Sequence, residues 1–165
     1  MTENTNSKFP SEADVVIVGV GGIVGSMIAY WLSELGQKNI VGLEKSSVIP
    51  SDIASTAHAS DFVYNTTHDK LGCWTTAYSR KFYEDNGFFL KKGGLEICRK
   101  GDDARWEELK RKVGSGKAFG TNVRLISAAE AKEKFPLLDE ESLMGAMWDP
   151  DAGLVIPRSQ DVVSF

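Results

Sequence analysis

Cysteine is almost missing from this chain of 165 residues: only Cys73 and Cys98 occur, far apart. Their separation fits neither a disulfide scaffold nor a zinc or redox spacing. An excess of basic residues is also missing. Nineteen Lys and Arg stand against 23 Asp and Glu, for a net charge of −4, which argues against a chain that wraps nucleic acid. Nowhere does an apolar run approach the roughly 18 residues of a membrane span. The opening segment MTENTNSKFPSEAD lacks arginine and lacks an apolar stretch, so it reads as neither a secretory signal nor a mitochondrial presequence. With two isolated thiols, these absences lead us to expect a cytoplasmic protein with no nucleic-acid or membrane partner. No P-loop, no His/Cys metal cluster and no Ser-His-Asp order is present.

What is present begins at Asp14, after a polar stretch (1–13) read as a disordered tail. Val15–Val18 is a run of β-branched residues without polar alternation, the pattern of a strand buried on both faces. Glycines follow at 19, 21, 22 and 25. Ile23 to Leu35 then reads as a helix, with Ile28, Leu32 and Leu35 at three- and four-residue steps and Gly36 as its stop. Ile40–Leu43 is a second apolar strand, ending at Glu44. Strand, glycine turn, helix and strand make a βαβ unit, which expects a parallel pair.

Such a turn suits a dinucleotide. Glycines let a diphosphate approach the amides of the following helix, whose dipole favours an anion. An acid closing the second strand accepts hydrogen bonds from ribose hydroxyls, and Glu44 lies near the expected distance of about 20 residues from the turn. The segment GVGGIVG nevertheless carries one residue more than the G-x-G-x-x-G fingerprint. Either the turn bulges, or Val20 stands under strain where glycine is usual.

Residues 45–67 are polar and small, a long loop. A helix over 69–86 would carry Trp74, Tyr78 and Phe82 toward a core, with Asp69 beside His68 as its cap. A strand covers 93–98, and Asp102 and Asp103 open a helix bearing Trp106, Leu109 and Val113. Lys110, Arg111, Lys112 and Lys117 read as a solvated basic face, because Glu107 and Glu108 precede them. Val123–Ile126 is a short strand. Ser127 and Glu130 form a capping box ahead of a helix that stops before Pro136. Ala146–Trp148 is a last strand, closed by a turn over 149–153, and Pro157 suits the start of another helix. Both cysteines read as buried packing residues.

With GVGGIVGSMIAYWLSELG, IVGLEKS, STAHAS, GGLEIC, ISAAEAKEKFPLLD and GAMWDPDAGLVIP in this order, the chain resembles FAD-dependent amine oxidoreductases of the D-amino-acid oxidase superfamily. Among these it is most similar to dimethylglycine and sarcosine dehydrogenases and oxidases. The resemblance implies an α/β protein: the N-terminal part of a Rossmann-like FAD-binding fold, then the beginning of a mixed α+β substrate domain. The expected division is 14–68 for the βαβ unit and flavin loop and 69–165 for the incomplete substrate domain. It implies FAD as cofactor, held by Gly19, Gly21, Gly22, Ile23, Val24 and Gly25 at the diphosphate and by Glu44 and Lys45 at the ribose. Ser55, Thr56 and His58 would lie at the flavin. His58 matches the histidine that carries covalent flavin in the motif S-T-x-H-A, whereas Ala54 and Asp61 stand where the family often has glycine.

The resemblance further implies oxidative demethylation of a small N-methylated glycine by hydride transfer to flavin. Members are several hundred residues long, so the chain is expected to be a truncated portion, inactive alone, with catalytic residues beyond it and a complementing chain or domain as partner. Two other readings compete: a non-catalytic remnant or partner-dependent subunit, and a segment of an NAD-dependent dehydrogenase, since the turn and Glu44 would serve NAD equally.

Overall fold

A computed structural model describes residues 10–156. The first nine residues of the stretch read as a tail, and the helix start expected at Pro157, lie outside the described residues. Two compact units divide the described chain after Ser60.

The first unit is the βαβ element. Strand β1 (Val15–Val18) pairs in parallel with β2 (Ile40–Leu43), Val15 opposite Ile40 and Val18 opposite Leu43. Helix α1 (Ile23–Glu34) connects them. It ends as Gly36 enters the left-handed region at φ 90°, where Gly36 N donates to Ser33 O and Gln37 N to Leu32 O, both at 2.9 Å. This is the glycine stop that the spacing predicts. A single 3₁₀ turn, Ser55–His58, interrupts the long loop.

β1 departs from the two-sided burial its composition predicts. Ile17 is buried, but Val16 is 54% and Val18 81% exposed. Alternation puts Val16 and Val18 on one face beside their partners Val41 and Leu43. Val16 and Val18 remain largely exposed on it. Pro10–Ala13 border a shallow hollow of about 420 Å³ against Val16, Val41 and Leu43.

The second unit is α+β, and its strands are antiparallel. Strands β3 (Phe62–Val63) and β4 (Phe89–Lys91) flank β8 (Gly153–Val155). In the other sheet β5 (Gly94–Arg99) and β6 (Arg124–Ile126) flank β7 (Leu143–Asp149). Helices α2 (Lys70–Asp85), α3 (Asp103–Ala118) and α4 (Ala128–Lys134) complete it. Their starts follow local chemistry. Asp69 accepts from Gly72 N at 2.7 Å, Asp102 accepts from Arg105 N at 3.0 Å, and Ser127 and Glu130 close their box in both directions. Leu109, Val113, Val123, Met147 and Cys98 form one core, and Ile126, Ala131 and Ala146 a second.

Three expectations need correction here. Trp74 (61% exposed) and Tyr78 (53%) are not core: their rings stack on each other at 5.6 Å on the open side of α2, whose buried residue is Cys73. Lys112 is not part of a solvated face. It is buried against the carboxylate of Glu96 on β5, which also holds Arg105 at 2.9 Å. The strand expected at 146–148 spans seven residues; β3 lies within the stretch read as a loop, β8 starts at the end of the 149–153 turn, and β4 falls between 86 and 93, where no element was expected.

Candidate functional site

The glycine turn is built by a bulge. Gly19 N and Val20 N both donate to the Leu43 carbonyl, at 2.7 and 3.3 Å. Two successive amides on one acceptor absorb an extra residue. Gly19 takes φ 90°, open to glycine, whereas among the described residues Asp61 is the one non-glycine at positive φ. Val20 is therefore not forced into the left-handed region, and of the two alternatives the turn takes the bulge.

The remaining glycines are required by close approach. A Cβ on Gly25 would lie 2.1 Å from the Gly19 carbonyl oxygen, so helix and strand end touch through bare backbone. At Gly21 a Cβ would lie 2.6 Å from Ser51 Cβ and 2.7 Å from Glu44 Oε2. Gly22 is the residue before the first helical turn, with Ala54 and Thr56 about it at 3.4 Å from a built Cβ.

Glu44 reaches the turn. Its Oε2 accepts from Gly21 N at 2.8 Å, while Oε1 accepts from Lys45 N and Ser46 N, each at 2.9 Å. The Ser46 and then the Gly21 amide hold this carboxyl below the usual carboxylate range, against a smaller opposing effect of burial. Thr56 Oγ1 accepts from Ile23 N at 3.0 Å and so caps α1 from the 3₁₀ turn. The bonds thus join Gly21, Ile23, Glu44, Lys45 and Thr56 around Gly22. Val24 is 72% exposed. Ser55 and His58 are exposed on the 3₁₀ turn. Asp61, standing where the family often has glycine, keeps glycine-like backbone at φ 57°.

Sequence reasoning missed Ser51. It is 2% exposed, its amide donates to Gly21 O at 2.9 Å, and its buried Oγ makes no hydrogen bond of its own. That hydroxyl still draws the Glu44 carboxyl slightly downward. One serine in a Ser-rich loop gives no local signal of such a position.

A model of the family described as FAD dependent oxidoreductase matches residues 14–159. The chain belongs to this family. Human mitochondrial sarcosine dehydrogenase is 28% identical over 95% of the chain, and human mitochondrial dimethylglycine dehydrogenase 27% identical over 94%. The mouse pyruvate dehydrogenase phosphatase regulatory subunit is 31% identical over 89%. Among solved structures, L-proline dehydrogenase from P. horikoshii superposes over 94% of the chain with a TM-score of 0.81 at 29% identity. Glycine oxidase from Bacillus cereus superposes over 93% with a TM-score of 0.73 at 26% identity. The chain spans 17% of the sarcosine dehydrogenase and 41% of the L-proline dehydrogenase. The chain therefore has the fold of the FAD-dependent oxidoreductase family, with a βαβ unit followed by an α+β unit. Among the described residues no helix is long and apolar enough to cross a membrane, and no cluster of His, Cys, Asp or Glu is placed to hold a metal.

The turn suits the family's cofactor. Gly21 and Gly25 are closed to side chains, α1 starts directly after Gly22 with its Ile23 amide held by Thr56, an ionised acid stands at the end of β2, and the buried Ser51 lies against Gly21.

Proposed function

We propose that the chain binds FAD by its adenosine diphosphate half and serves as the FAD-binding segment of an oxidoreductase acting on N-methylated glycines such as sarcosine or dimethylglycine. The observation that carries this reading is the turn at 19–25, bare of side chains where α1 meets β1 and joined to Glu44 by the Gly21 amide. The amides at Gly22, Val24 and Gly25 would hold the diphosphate, Glu44 the ribose, and Ser55, Thr56 and His58 would lie toward the flavin. Bound FAD supplies an acceptor for hydride. The chain's own part is to bind and orient: glycines admit the diphosphate, and the helix dipole offsets its charge. Thr56 fixes the first amide of α1. His58, exposed on a turn of small residues, is free to reach a cofactor, and we assign it the covalent link to flavin. Two buried free thiols fit the reducing cytoplasm.

The same reading has the 165-residue chain inactive by itself. Its parallel sheet has two strands and leaves Val16 and Val18 exposed, and a complementing chain or domain would supply the rest. Visible absorption of the purified chain, before and after acid denaturation, tests this. Yellow colour retained by the denatured protein and lost in His58→Ala supports covalent FAD; colour that washes out leaves FAD without the bond. A chain that binds NAD and not FAD overturns the proposal.

A second reading has a specific observation behind it: one relative at 31% identity is named as a regulatory subunit. In that reading the chain keeps the fold and acts through a partner. FAD binding without demethylation, even after a complementing domain is supplied, would favour it.

A further inference from the structure

The bulge at Val20 has no place in a G-x-G-x-x-G turn, and its contacts tie it to the acid. The Val20 side chain sits over Gly42, where a Cβ would come within 2.8 Å of Val20 Cγ1. Gly42 lies on β2 two residues before Glu44, so the inserted residue and the acid are seated on the same strand end. Val20 N shares the Leu43 carbonyl with Gly19 N, and the next amide, Gly21 N, falls on Glu44 Oε2 at 2.8 Å. Oε1 already takes two amides, whereas Oε2 takes one and keeps capacity for a further donor. The carboxylate is thus fixed before any ligand arrives.

We propose that Val20 is a positioning residue for ribose recognition: its bulge delivers the Gly21 amide to Glu44 and sets Oε2 to receive a ribose hydroxyl. This rests on the FAD reading of the site. Fixing an acceptor in advance removes the cost of ordering it on binding. Restoring the shorter turn would free the carboxylate, and Gly21 N would lose its charged acceptor.

The test uses the full chain, its Val20 deletion and Val20→Gly, which keeps the length but empties the seat on Gly42. Two quantities are read: the amide proton shift of Gly21 by NMR, and the affinities for FAD, ADP and 2′-deoxy-ADP. We expect the Gly21 resonance to move upfield in the deletion and in Glu44→Gln alike, with Val20→Gly between. Loss of one charge-assisted bond should weaken ADP about tenfold and bring 2′-deoxy-ADP level with it. A purely structural role would weaken both nucleotides alike. If the deletion variant does not fold, Val20→Gly carries the comparison. An unmoved Gly21 resonance, or unchanged discrimination between the two nucleotides, overturns the inference while FAD binding stands. Binding of ADP but not FAD by the wild-type chain overturns the FAD reading and leaves the inference to the nucleotide comparison. A wild-type chain that binds none of the three overturns both.

Discussion

Glu44 shows how much one side chain does here. Three backbone amides favour its ionised form, so its carboxyl titrates below its ordinary value of 4.5. A carboxyl depressed in the folded state adds stability that is present above the unfolded value and lost as pH falls through the folded one. We therefore expect wild-type stability to fall as acid protonates Glu44, and this part of the fall to vanish in Glu44→Gln. Chemical denaturation at a series of pH values between 6 and about 3 would measure it. Gly25 makes a harsher test, because its missing Cβ is the space occupied by the Gly19 carbonyl. Gly25→Ala must push α1 off β1, and the expected outcome is loss of FAD binding together with a destabilised first unit. Gly22→Ala meets only ordinary contacts at 3.4 Å, so it should fold and yet bind FAD weakly.

Elements were legible in the sequence where their signals are local. The glycines punctuate α1, the Ser127–Glu130 box marks α4, and Asp69 and Asp102 open α2 and α3. Ser127→Ala removes an exposed cap and should cost about 1 kcal/mol, read as a shift of the urea midpoint. Strands β3, β4 and β8 were illegible because runs of two or three residues have no period to detect; they exist through β8, which pairs with segments over 60 residues away in sequence. Lys112 misled for a related reason. Its neighbours on α3 are charged, and only β5 brings Glu96 against it. On α2 the aromatic spacing was read as a core stripe, but spacing alone does not say which side of a helix is covered. β1 separates composition from surroundings most sharply. Val18→Thr should change stability by no more than about 0.5 kcal/mol, whereas Ile17→Ala should cost at least about 2 kcal/mol; thermal unfolding of both variants checks the pair.

For the molecule as a whole, the βαβ unit and the acid at its end were readable because they are contiguous in sequence. The carbonyl shared by Gly19 and Val20, the bond from the Ser51 amide to Gly21 O and the hold of Thr56 on Ile23 were not, since each joins segments 20 or more residues apart. A strand composed for burial on two faces is exposed at Val16 and Val18, and the chain spans 17% of its curated relative human sarcosine dehydrogenase. The central claim remains the glycine turn as an FAD site. Titration of the purified full chain with FAD, followed by flavin fluorescence, tests it most directly, with Gly22→Ala as control. The account predicts saturable binding of one FAD per chain that weakens strongly in the variant; no saturable binding, or equal binding by both proteins, would contradict it.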